Sequence, residues 1–155
     1  EIEAFLEDSA LQRVVKSFDA WDSNAQVSRP LLAVLAYYGD APIKVESGGK
    51  PKRQRDLGAA LADAKRFYSR YVHEENHGVR AHHVRRLLFA AGLSESDLDN
   101  AWLATIDSFG QSRGATAHTS ANRTIQLPDP ETELATVNEI VKGLRDIDAT
   151  LSRVR

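Results

Sequence analysis

Apolar residues recur every three or four positions along most of this chain, the spacing that gathers them on one face of an α-helix. Leu11, Val14, Val15, Phe18 and Trp21 form a first stripe. Leu31, Leu32, Val34, Leu35 and Tyr38 form a shorter second one, with Pro30 at its first turn, where a missing N–H costs nothing. Leu57, Leu61, Ala64, Tyr68 and Tyr71 make a third, and Val84, Leu87, Leu88 and Ala91 a fourth that Gly92 is placed to stop. Ser94 and Asp97 have capping-box spacing and are expected to start a fifth helix, whose stripe is Leu98, Trp102, Ile106 and Phe109. Leu134, Val137, Val141, Leu144, Ile147 and Leu151 complete the set. Strand-like alternation is scarce, and no repeat or low-complexity tract interrupts the series. The pattern predicts an all-α helical bundle of about five to six helices.

Three polar stretches separate these stripes. Residues 39–56 hold Pro42, Gly48, Gly49 and Pro51 together with Lys50, Lys52, Arg53 and Arg55, which predicts a mobile basic loop. His73 to Gly78 is a polar break, and Thr119 to Pro130 a polar, proline-punctuated loop.

The 155 residues, 42% apolar, suffice for one core, so one domain over residues 1–155 is expected. A net charge of −2 provides no global basic field, and any contact with a polyanion has to be local. The absence of cysteine excludes disulfides, thiolate catalysis and cysteine-based zinc sites, and fits a cytoplasmic location. No apolar run reaches membrane-spanning length and no signal peptide is evident, so no membrane partner is expected. The chain starts at Glu1 and has no methionine, which suggests a processed chain or a domain excised from a larger protein.

The candidate chemistry lies in Ser112-Arg113-Gly114-Ala115-Thr116-Ala117-His118, at the end of the fifth stripe. Arginine grips phosphate with a planar, permanently charged fork. Histidine exchanges protons near neutral pH. The two together are a minimal set for cleaving a phosphodiester. Five positions apart on an ideal helix they are separated by about 140°, so they flank a groove or meet their copies across a two-fold axis. Gly110, Gly114, Ala115 and Ala117 keep the surroundings small and leave room for another helix or a ligand backbone. The same Arg and His also suit the negative end of a helix dipole without any catalytic role.

The run Leu87-Leu88-Phe89-Ala90-Ala91-Gly92-Leu93, then Leu98 to Phe109, then Arg113 to His118, resembles the HEPN superfamily, specifically the RiboL-PSP-type domains. These have a short helix, a Gly-Leu turn, a long helix leading into an R-x4-H motif, a polar loop and a closing amphipathic helix. The likeness covers about Val84 to Leu151. It implies a metal-independent endoribonuclease that needs no cofactor, or a related RNA-binding module. It also implies a homodimer whose two motifs share one site, with an antitoxin or fused regulatory domain as a further partner in toxin–antitoxin or phage-defence systems. Carried over, Arg113 binds the scissile phosphate and His118 acts as general base or acid. Attack by the ribose 2′-OH then leaves a 2′,3′-cyclic phosphate and a 5′-hydroxyl. Many catalytic members carry a polar residue, often Asn, directly after the arginine. Here that position is Gly114, and Ser112 and Thr116 are the nearby substitutes. The departure favours an alternative, a catalytically silent RNA-binding or dimerisation module.

A rival motif is His73-Glu74-Glu75-Asn76-His77, which matches the H-E-x-x-H pattern of zinc peptidases, with His83 at the spacing of a third ligand. Charged Glu75, Arg80 in place of the expected glycine, and the break between helices all oppose it. A solvated inter-helix turn without metal is the expectation for His73, His77 and His83. Lys50, Lys52, Arg53 and Arg55, extended by Arg66, Arg70, Arg80, Arg85 and Arg86, form either a weak RNA-binding surface or an ordinary solvated face. Tyr37, Tyr38, Tyr68 and Tyr71, which could stack on bases, have the spacing of core or interface residues.

Overall fold

The computed structural model describes residues 1–39, 57–118 and 129–154, with only the backbone described for 114–118. Among these residues there are six α-helices and no strands, an all-α bundle. Helix α1 spans Ile2–Asn24 and turns its Leu6, Ala10, Val14 and Phe18 inward. It begins well before the first stripe of the sequence, because Leu6 and Ala10 extend the same face by two turns. Helix α2, Arg29–Tyr38, starts at Ser28, whose hydroxyl accepts from the Leu31 N–H, and carries Pro30 in its first turn. Helix α3, Leu57–Arg70, runs directly into a π-helical turn at Tyr71–Glu75. Helix α4, Ala81–Ala90, ends at Gly92, whose φ of +95° only glycine adopts at little cost. A Cβ there would also come within 3.0 Å of the Pro30 nitrogen, so the turn is doubly committed to glycine.

The Ser94/Asp97 capping box forms, but it caps a short 3-10 turn at Glu95–Asp97. The long helix α5, Asn100–His118, is started by Asp99 instead, whose carboxylate accepts from the Ala101 and Trp102 N–H groups. Helix α6, Pro130–Arg153, takes Asp129 as its cap and Pro130 as its first residue, so Pro130 belongs to the helix and not to the preceding loop. Residues 40–56 and 119–128, and with them Lys50, Lys52, Arg53 and Arg55, lie outside the described residues.

Helix α1 packs on α2, α3, α4 and α6; α2 also meets α3 and α4, and α5 lies between α4 and α6. One apolar core draws on all six helices. Each large aliphatic side chain buried in it contributes about 1.5–3 kcal/mol relative to exposure. The core stops part-way along two helices. Among the described side chains of α5 the buried ones are Trp102, Leu103 and Ile106, and residues 111–113 are exposed. In α6 burial begins at Ile140, and Leu134, expected in the stripe, is 62% exposed. Residues 111–113 of α5 and the first turns of α6 therefore lie outside the packed core. No helix among the described residues is long and apolar enough to cross a membrane.

Candidate active site

The fixed end of α5 is built around Trp102. Its indole N–H donates to the Ile140 carbonyl at 3.1 Å, and the ring lies across Gly143 of α6. A Cβ on Gly143 would collide with Trp102 Cδ1 and Nε1, so the helices approach this closely only over a glycine. Thr105 adds a bond to Glu139 at 3.1 Å. The stretch of α5 that carries Arg113 is thus aimed by a firmly seated first half.

On the opposite flank, Asp107 ties α5 to the start of α4. Its carboxylate receives Arg80 Nε at 2.8 Å and Nη2 at 3.1 Å, and the Ala81 N–H at 2.8 Å. The Arg80 fork holds the carboxyl down at about 2, and the Ala81 N–H adds to this against the cost of burial. This clamp presses the Val79–Arg80 segment onto Gly110, where a Cβ would meet Val79 Cγ2 and Arg80 Cδ at 3.3 Å. The sequence suggested that Gly110 leaves room for another helix or a ligand. That space is filled by the chain's own 79–80 segment.

Arg113 follows one turn later. Its guanidinium lies 5.7 Å from the centre of the Phe109 ring and is exposed, and no carboxylate among the described residues pairs with it. It stands on a ridge between two open grooves. One, about 680 Å³, runs along the His77–Arg80 turn and includes Glu1, Glu3, His77, Arg80 and Gln111. The other, about 510 Å³, lies between α5 and α6 and includes Ser108, Ser112, Glu133 and Glu139. The helical backbone continues unbroken through Gly114, Thr116 and His118, so the R-x4-H motif is carried on one helix. The side chains of Thr116 and His118 lie outside the described part.

The rival histidine motif does not form a helical pair. His73 lies in the π-helical turn, and the chain leaves helical geometry at Asn76, with φ −80° and ψ 114°, before reaching His77. Asn76 is buried and turns inward, accepting from the Tyr71 hydroxyl at 3.0 Å and donating to Glu7 at 2.7 Å. His83 sits one element away on α4, with Nδ1 buried against Gly78. Burial and neighbouring His82 push that imidazole below its ordinary value, opposed by Glu3 and the Gly78 backbone. Among the described residues, no group of three His, Asp or Glu side chains is arranged to hold a metal ion.

The arginines thought able to extend an RNA-binding surface are each matched to carboxylates. Arg66 pairs with Asp63, Arg70 with Glu75, Arg80 with Asp107 and Arg85 with Glu95. Arg86 lies 3.8 Å above the Tyr71 ring, near Glu75. Of the four tyrosines, Tyr68 and Tyr71 are buried, Tyr38 packs edge-on against Tyr68, and Tyr37 is exposed. The Arg80–Asp107 clamp and the lining of one groove by both His77 and Arg113 are not legible in the sequence. The clamp joins residues 27 positions apart, beyond any helical period. Comparisons with known protein families, curated proteins and solved structures return no match.

Proposed function

We propose that this chain is a HEPN-type, metal-independent endoribonuclease acting in the cytoplasm, in a toxin–antitoxin or phage-defence setting. The observation that carries the reading is Arg113, a solvent-facing guanidinium with no carboxylate partner among the described residues, between two grooves and on the same helix as His118. A cation held this way is available to a phosphodiester, whereas Arg80 in the same groove is already engaged by Asp107. In the proposed reaction Arg113 binds the scissile phosphate and stabilises the charge that builds on it. His118 takes the 2′-hydroxyl proton as that oxygen attacks phosphorus.

The alternative is a silent RNA-binding or dimerisation module, favoured by Gly114 after the arginine. Cleavage of a mixed-sequence RNA in excess EDTA distinguishes the two. The enzyme reading expects 2′,3′-cyclic phosphate ends, and a loss of about 10²–10⁴-fold in rate for His118→Ala. Arg113→Ala should be similarly impaired. Tight RNA binding without cleavage supports the silent module. Cleavage at the wild-type rate by either variant refutes the site.

A further inference from the structure

In-line displacement at phosphorus is best served by a base on one side and an acid on the other. The R-x4-H motif supplies one imidazole per chain. A second, His77, comes from the histidine motif that the proposed function leaves unused. His77 lines the same groove of about 680 Å³ as Arg113. Among the described residues, the groove on the other side of Arg113 is lined by hydroxyls and the carboxylates Glu133 and Glu139. A phosphate held by Arg113 in the 680 Å³ groove therefore shares that groove with the His77 imidazole.

Three local features set His77 there. Tyr71, Asn76 and Glu7 form a hydrogen-bonded chain that ends the π-helical turn just before it. The Gly78 N–H donates to Glu3 at 2.6 Å, fixing the next residue, whose φ of +115° requires glycine. The Arg80–Asp107 clamp then fastens the far side of the turn to α5, the helix that carries Arg113. His77 itself is exposed, and no carboxylate pairs with it among the described residues. The groove is not a general anion trap, because Glu1 and Glu3 also line it. Phosphate entry depends on Arg113.

We propose that His77 is the general acid of the cleavage reaction, protonating the leaving 5′-oxygen while the phosphate is held by Arg113. This rests on the ribonuclease reading above. The 2′-hydroxyl gives its proton to the base assigned to His118, and the O2′–P bond forms. The P–O5′ bond breaks, and O5′ takes the proton from the His77 imidazolium. The products are the cyclic phosphate and a neutral 5′-hydroxyl.

The test uses two substrates that differ in their need for an acid. An RNA dinucleotide leaves as a poor alkoxide, whereas uridine 3′-(4-nitrophenyl phosphate) leaves as a stabilised phenolate. His77→Ala and His77→Gln should slow the dinucleotide by about 10²–10⁴-fold. Both should cleave the nitrophenyl ester within a few-fold of wild type. Arg113→Ala should slow both substrates, and circular dichroism should show every variant folded. Wild-type cleavage of the dinucleotide by His77→Ala overturns the proposal. Equal slowing of both substrates does so too, since it assigns His77 to binding or structure. If wild-type protein cleaves neither substrate, the ribonuclease reading itself fails and the step at His77 falls with it. If cleavage depends on His118 but not on His77, only the inference about His77 fails.

Discussion

Asp107 joins two helices through three hydrogen bonds, and its protonation state links that joint to pH. Its carboxyl is held at about 2, below the ordinary 3.8, first by Arg80 and then by the Ala81 N–H. Folding thus favours the ionised form. The stability it contributes is fully present above pH 3.8, and is lost as pH falls through about 2. Asp107→Ala removes the group that satisfies a first-turn N–H of α4, a loss of about 1 kcal/mol by the usual capping scale. Urea unfolding at pH 7 should show that loss. Asp107→Asn keeps an acceptor for Ala81 but not the charge, so it should lose less. It should also flatten the decline in stability between pH 4 and pH 2. A variant with wild-type stability and an unchanged acid limb would mean that the clamp contributes nothing. Its loss would also release the Val79–Arg80 segment from Gly110, on the wall of the groove that holds His77.

Trp102 and Gly143 show at the scale of elements what the hydrophobic pattern can and cannot reveal. The stripe of Trp102, Ile106 and Phe109 is legible because a helix repeats every 3.6 residues. The need for Gly143 is not, because its reason is an indole on another helix, 41 positions earlier. The capping box was expected to start the fifth helix, but Ser-x-x-Asp does not say whether a long helix or one 3-10 turn follows. Leu134 continues the stripe of α6, yet the core ends before reaching it, since periodicity marks a face and not how far its partner extends. The H-E-x-x-H spacing misleads for a related reason: a π-helical turn and Asn76 take His77 out of helical register. Gly143→Ala gains about 1 kcal/mol of helix propensity. It also drives a methyl into Trp102, and overpacking of this kind costs about 1–3 kcal/mol. Displacing the indole further endangers its bond to Ile140. The balance predicts a net loss of stability and an altered near-ultraviolet dichroism from the displaced tryptophan. An equally stable or stabilised variant would show that α5 and α6 slide apart freely, and that the aim of Arg113 is not fixed from this end.

For the whole molecule, the unburied parts of α5 and α6 bear on assembly. Residues 111–113 and Leu134 are exposed and Phe109 is only partly covered, so residues 109–113 of α5 and the start of α6 add little to the core. The expected partner for this face is a second copy, joined about a two-fold axis that brings the Phe109–His118 segments together. Symmetry then supplies a second Arg113 and a second His118 to the shared cleft without further sequence. Light scattering at micromolar concentration should report twice the monomer mass. Leu134→Asp places a charge on the proposed contact and should shift the protein toward monomer without unfolding it, since that side chain makes no part of the core. Site sharing is read by mixing. Arg113→Ala and His118→Ala protomers, each inactive alone, should recover part of the cleavage activity when combined, because the shared cleft of a mixed dimer again holds one Arg113 and one His118. A dimer that Leu134→Asp leaves untouched would place the interface elsewhere. A strictly monomeric protein, or mixed protomers that stay inactive, would remove the second copy from the site and leave each chain to cleave with its own residues.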